Sequence, residues 1–328
     1  MNLLNRFFPK KKDSNKLYTE ALEALLEGDI ENAVSKLKDL VQYDTNNIRA
    51  YIRLGDIFRE NLKVEQALKI HQSLILRKRL SKALHCEIYM SLARDFFELK
   101  KFERVQYYIL EILKIDKKNI NALNFILDIY ILQEKWDEGI KILKKIEKFQ
   151  GFPTSKKQSE LIIKKAKESE KNQLFNDAIK YYKKSILIDS SNFLSHLKIG
   201  NIHEKNKNLN DALVEWKIFA EKSFQDGKQI YNKIEKVLFE LGRFGEIEEF
   251  YRSLLKINSQ NSYALLGLVN VLISKGEFDK CLSLIDDLVP DEKSFLLVQL
   301  LKIKIHLKKK NEDKLLSILD NILSSLKD

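Results

Sequence analysis

Arginine is scarce in this chain: of 58 Lys and Arg, ten are Arg. Arg49, Arg59 and Arg94 recur one step off the apolar stripe of successive predicted helices. A guanidinium fork grips a carboxylate through two parallel N–H···O bonds, which an ammonium cannot do. Set along a trough, such side chains would hold the acidic groups or terminus of a peptide. Asp56, Asp95 and Glu60 stand within reach and would otherwise take the same guanidinia in surface ion pairs. Both readings stay open. The histidines and cysteines point to less chemistry. His196 and His203 lie seven residues apart without Cys or carboxylate at ligand spacing, and His71 falls on an apolar helix stripe. Zinc needs three or four converging ligands, so these read as core histidines, and neither metal nor cofactor is expected. Cys86 and Cys281 form neither a disulfide framework nor a CxxC pair. They read as buried packing residues in a reducing compartment. With no phosphate loop, GxSxG, HExxH or dinucleotide fingerprint, no enzyme is expected.

Side chains arranged this way need a rigid array behind them, and Ile48–Arg79 shows its unit. Tyr51, Leu54, Gly55 and Phe58 fall at i, i+3, i+4 and i+7, giving one helix an apolar face. Ala67, Ile70, His71 and Leu74 repeat the spacing after a polar break at Glu60–Lys63. Gly55 and Ala67 are small where the two helices would cross. Leu-Gly, an aromatic and then Ala, in a unit of about 34 residues, resembles the tetratricopeptide repeat. The pattern recurs. Ala33, Ala67, Val105, Gly139, Ala178, Ala212, Ile247 and Cys281 follow one another at spacings of 34, 38, 34, 39, 34, 35 and 34. Three positions before each comes an apolar residue: Ile30, Val64, Phe102, Trp136, Phe175, Leu209, Phe244 and Phe278. The expected fold is therefore all-α: a solenoid of helical hairpins wound as a right-handed superhelix, with about eight repeats and C-terminal capping helices.

A second regularity keeps the same register. Asp44, Asp116, Asp189 and Asn258 close alternate repeats, and Asn47, Asn119, Asn192 and Asn261 follow three residues later as predicted N-caps. The repeat's usual proline is replaced by Thr45, Lys117, Ser190 and Ser259, which predicts less rigid corners. Leu80–His85 lengthens one junction, and Gly151 with Pro153 ends a helix at another. The expected organisation is an apolar and basic segment at 1–14, repeats one to four at 15–150, and a junction at 151–156. Repeats five to eight follow at 157–290, then capping helices at 291–328.

In such arrays the first helices line a concave groove that holds an extended or helical peptide. The inward candidates are Arg49, Ile52, Asp56 and Arg59 in repeat two, and Glu87, Met90, Arg94 and Phe97 in repeat three. Repeat four adds Asn121, Asn124, Asp128 and Ile131.

One segment carries a narrower resemblance. Leu54-Gly55-Asp56-Ile57-Phe58-Arg59, followed by Ile70-His71-Gln72, resembles the second repeat of the bacterial lipopolysaccharide-assembly protein B family. Asp95-Phe96 and the stretch around Trp136 are similar to its third and fourth repeats, and the likeness runs roughly from Tyr18 to Leu326. The family is an inner-membrane scaffold that helps a membrane-anchored protease degrade the deacetylase committing cells to lipid A synthesis. Its members carry a transmembrane helix and a rubredoxin-like four-cysteine domain; neither is read here, and with two unrelated cysteines no bound iron or zinc is expected.

The net charge of +11 is mostly lysine and does not by itself mark a nucleic-acid face, which would want clustered Arg and exposed aromatics. Lys141–Lys171 and Lys302–Lys314 read as solvated faces, and Tyr107-Tyr108 and Tyr181-Tyr182 as packing pairs. Leu3, Leu4, Phe7 and Phe8 with Lys10, Lys11 and Lys12 read either as a frayed terminus or as a weak anionic-membrane contact. The expected protein is a bacterial, cytoplasmic scaffold, peripheral on the inner membrane if that contact forms. Its partner would be a protein, as a peptide or helix in the groove, with no small-molecule substrate. The rival readings are a nucleic-acid-binding repeat using the lysine stripes and an accessory subunit of an enzyme or secretion complex.

Overall fold

Seven of the eight apolar residues that mark the repeat in sequence open a helix in the structure, and the eighth, Phe244, is the N-cap of one. A computed structural model describes residues 13–223, 226–286, 292–310 and 314–319, and no strand occurs among them. The segment at 1–12, with Leu3, Leu4, Phe7, Phe8, Lys10, Lys11 and Lys12, lies outside the described residues, as does most of the last capping helix. The chain divides into two compact units that part between Leu161 and Ile162.

The first unit holds α1 (Ser14–Leu26), α2 (Ile30–Tyr43), α3 (Ile48–Glu60), α4 (Val64–Ile75), α5 (Lys82–Glu98), α6 (Phe102–Ile115), α7 (Ile120–Leu132) and α8 (Trp136–Gln150). The division falls within α9 (Ser155–Lys171). The second unit holds α10 (Phe175–Ile188), α11 (Leu194–Lys205), α12 (Leu209–Lys222) and a 3₁₀ turn at Gly227–Ile230. It continues through α13 (Tyr231–Glu240), α14 (Gly245–Ile257), α15 (Ser262–Ser274), α16 (Phe278–Asp286) and α17 (Glu292–Lys309). Helices pair in order, α1 with α2, α3 with α4, α5 with α6 and α7 with α8 in the first unit, and α11 with α12, α13 with α14 and α15 with α16 in the second. The small residues that set the register are buried, from Ala33, Ala67 and Ala178 at 0% exposure to Ile247 at 7%.

The turns of the eight repeat hairpins are built alike among the described residues. Gly28, Leu62, Lys100, Glu134, Gln173, Lys207, Gly242 and Gly276 adopt positive φ, between 56° and 80°. The next residue's N–H then reaches back five positions, as in Lys63 N to Phe58 O at 2.8 Å and Asn208 N to His203 O at 2.8 Å. This is the Schellman closure, which satisfies helix-end carbonyls. Five of the eight left-handed positions are not glycine. There the side chain carries a steric cost of about 1 kcal/mol, and packing of the hairpin overrides it.

The corners between repeats differ from expectation. Asp44, Asp116, Asp189 and Asn258 each accept a bond from the backbone N–H two residues on, at 3.0 Å in every case. These Asx turns fix the bend where the proline is missing, so the corners are tied rather than loose. Asn47, Asn119 and Asn261 cap α3, α7 and α15 through the N–H groups of Ala50, Ala122 and Ala264. The fourth corner is offset: α11 begins at Leu194, two residues beyond Asn192, and Phe193, without a side-chain acceptor, occupies the cap position.

Candidate functional site

Three consecutive first helices of the first unit, α3, α5 and α7, carry the groove candidates on one side. Two adjoining concavities lie there. One, of about 400 Å³, is lined by Arg49, Ile52 and Asp56 from α3 and by Met90 and Arg94 from α5. The other, of about 440 Å³, is lined by Arg59, Met90, Arg94, Phe97, Asn124 and Asp128. Met90, Arg94 and Asn121 line both, so the two form a continuous trough. Tyr18 from α1, Arg53 and Cys86 also line the first, and Phe125 lines the second.

Arg49 and Arg59, both on α3, do different things. Arg49 is exposed and meets Glu87 across the helix gap at 3.3 Å. Arg59 is 8% exposed and belongs to a buried quartet. Its Nη1 lies 2.7 Å from Asp56 Oδ1 and 3.1 Å from Asp95 Oδ1. Asp95 Oδ2 sits 2.6 Å from His71 Nδ1, and His71 Nε2 faces the Ile52 carbonyl at 3.1 Å. Ser91 Oγ donates to Asp56 at 3.1 Å. The imidazole thus lies between a carboxylate and a carbonyl, and the guanidinium between two carboxylates, so each buried polar group has a partner. Burial works against the Arg59 charge, but Asp56 and then Asp95 outweigh it and raise the guanidinium's pKa. The surface ion pairs weighed from sequence are thus present at Arg59 but buried, and His71 is more than packing.

Arg94 and Arg53 are exposed on α5 and α3 and make no ion pair among the described residues. Arg53 was missed in sequence, although it lies four residues beyond Arg49 and therefore on the same helix face. Cys86 corrects another expectation: it is half-buried and lines the first concavity. Burial, then Asp116 and Glu87, push its thiol up, so it stays protonated and lacks thiolate character. Cys281 is fully buried. Outside the trough, His196 is partly exposed and meets Glu215 at 2.6 Å, a carboxylate that sequence spacing did not connect to it. His203 Nδ1 is buried without a hydrogen bond. Tyr108 and Tyr182 are buried while Tyr107 is half-exposed. Among the described residues no group of three His, Cys, Asp or Glu could hold a metal ion. No described helix is long and apolar enough to cross a membrane.

The chain matches the family model "Tetratricopeptide repeat" over residues 238–305. It is 31% identical over 155 residues to lipopolysaccharide assembly protein B of Haemophilus influenzae, covering 42% of this chain and 39% of that one. Against the protein of the same name from Escherichia coli K12 it is 25% identical over 142 residues, 42% of this chain and 36% of the relative. The match thus spans well under half of either relative's length. Among solved structures, a tetratricopeptide repeat protein from Parabacteroides merdae aligns with 79% of this chain and 98% of its own, at 14% identity and a TM-score of 0.40.

Proposed function

We propose that this tetratricopeptide-repeat protein, which resembles lipopolysaccharide assembly protein B, is a non-enzymatic scaffold that holds a protein partner across α3, α5 and α7. One observation carries the reading: the two concavities join through Met90, Arg94 and Asn121 into a trough crossing three successive hairpins. A groove of that length suits an extended segment or a helix. Its floor needs no rearrangement to be ready, because the Arg59 quartet fixes α3 against α5. The resemblance supports reading that role as lipopolysaccharide or envelope homeostasis in the cytoplasm or at the inner-membrane surface, with a protease or its substrate as the held partner.

The test is site-specific crosslinking in the native cell. A photoreactive phenylalanine at Asn124, in the trough, should trap a protein that the same probe at Lys183, exposed on α10, does not. Arg94→Glu should abolish the adduct while the thermal melt stays unchanged. Equal adducts at both positions, or an adduct indifferent to Arg94→Glu, would overturn the assignment. Arg59→Glu is unsuitable here, since it would bury a third carboxylate beside Asp56 and Asp95.

A further inference from the structure

Cations are distributed unevenly between the trough and the rest of the molecule. The chain has 48 Lys and 10 Arg, yet no lysine lines either concavity, while Arg49, Arg53, Arg59 and Arg94 do. Had the trough needed only positive charge, lysine would serve as well and is far more abundant. What arginine adds is the planar fork that meets two oxygens at once. Two of the four are already engaged: Arg49 with Glu87, and Arg59 with Asp56 and Asp95. Arg53 and Arg94 remain unbalanced. They stand on neighbouring helices and line the same concavity.

The second concavity has a different character. Met90, Phe97 and Phe125 give it an apolar patch within a lining that also holds Arg59, Asn124, Glu98 and Asp128, and Phe97 and Phe125 meet edge to face with ring centroids 5.7 Å apart. An apolar side chain seated there would leave water and gain contact with two aromatic rings. Because Arg94 and Met90 line both concavities, the anionic seat and the apolar seat are adjacent rather than separate.

We infer, building on the groove reading above, that the occupant is a peptide segment with two neighbouring carboxylates followed by a large apolar side chain. The carboxylates sit between Arg53 and Arg94, and the apolar side chain rests against Met90, Phe97 and Phe125. The site reads the oxyanions by shape, so replacing the forks with ammonium groups weakens it although the charge is kept.

Fluorescence anisotropy with labelled peptides of one length, in a Gly-Ser background, tests this. The probes carry Glu-Glu-Gly-Phe, Gln-Gln-Gly-Phe, or phosphoserine in place of the glutamates. The Glu form should bind about tenfold or more tighter than the Gln form. Arg53→Lys with Arg94→Lys should erase most of that difference, whereas Lys141→Gln with Lys144→Gln, on exposed positions of α8, should leave it intact. Both double variants should melt like the parent. If the phosphoserine peptide binds more tightly than the Glu form, the oxyanion comes from phosphate and the carboxylate assignment falls. If Glu and Gln forms bind equally and Phe97→Ala weakens both, the groove stands but its acidic specificity falls. Should none of the peptides bind, the inference fails, and the crosslink at Asn124 then decides separately whether the groove itself survives.

Discussion

One position of the repeat, four residues beyond the small residue of each second helix, is filled differently in the two units. In the first unit it holds Leu37, His71, Ile109 and Leu143; in the second it holds Tyr182, Trp216, Tyr251 and Ile285. His71 and Trp216 occupy equivalent surroundings. Each lies against a glycine of the facing first helix, Gly55 and Gly200, where an added Cβ would come within 2.4 Å of the ring. The two solve the same packing problem with opposite chemistry. His71 fills the space and ties in Asp95, Arg59 and Asp56, so its slot is polar, charged and dependent on every member. Trp216 fills it with an indole whose single N–H goes to Asn201 Oδ1 at 3.1 Å. Tyr182 and Tyr251 likewise place one hydroxyl each on Glu170 and Glu235. Burial first, and the adjacent glutamate second, push both phenols far above their ordinary range, so each remains a neutral donor. A charged slot concentrates risk in one network; an aromatic slot spreads its stabilisation over area.

The sharpest way to break this comparison is to remove one anion from the quartet. Asp95→Ala leaves His71 Nδ1 without its acceptor and Arg59 with Asp56 as its one remaining carboxylate partner, and breaking a buried pair in this way costs about 3–5 kcal/mol. Urea denaturation should show that loss. A change under about 1 kcal/mol, the range of an exposed pair, would mean that the quartet is solvated after all. In the aromatic slots, Tyr182→Phe and Tyr251→Phe each remove a single hydroxyl while keeping the ring. Each should cost about 1 kcal/mol by the same measurement. If either matched the loss at Asp95, the contrast between the units would vanish.

The smallest effect has the opposite sign. Leu62, Lys100, Glu134, Gln173 and Lys207 sit in left-handed turns that three other hairpins give to glycine. Leu62→Gly, at a residue 87% exposed, relieves the steric cost and should stabilise by up to about 1 kcal/mol, offset in part by the greater freedom of glycine in the unfolded chain. A rise in Tm would place this turn on the same footing as Gly28; a fall would show that the leucine side chain contributes packing.

The repeat was legible because its signal is local. Phe102 and Trp136 open α6 and α8, as their distance from the small residues Val105 and Gly139 indicates. The twelve groove candidates were placed by helical spacing alone; eleven of them line the two concavities, and Ile131 lines neither. The quartet was legible only in part: Asp56 and Asp95 stood as possible partners of Arg59, but its burial and the link to His71, 24 positions from Asp95, did not show. Periodicity shows which face a residue takes, not what the facing helix presents. For the same reason His196 and Glu215, on different helices, looked unrelated. Arg53 was overlooked for a simpler cause: the inward face was read too narrowly, and the position four residues from Arg49 was left out. The tied corners were missed because Asp44 and its equivalents were read as repeat ends, while their side-chain bonds to the backbone depend on a bend that spacing does not reveal.

Those tied corners bear on how such an array can grow. Asp44 and Asp116 close the same kind of bend from within the preceding helix pair. The two hairpins between them, residues 45–116, therefore begin just after one such hinge and end upon another. A tandem duplication of that cassette would carry its own junction and demand no new turn sequence. Lengthening by whole pairs of hairpins is thus the change this chain accommodates at the least local cost, and loss of a single odd hairpin the one it accommodates worst.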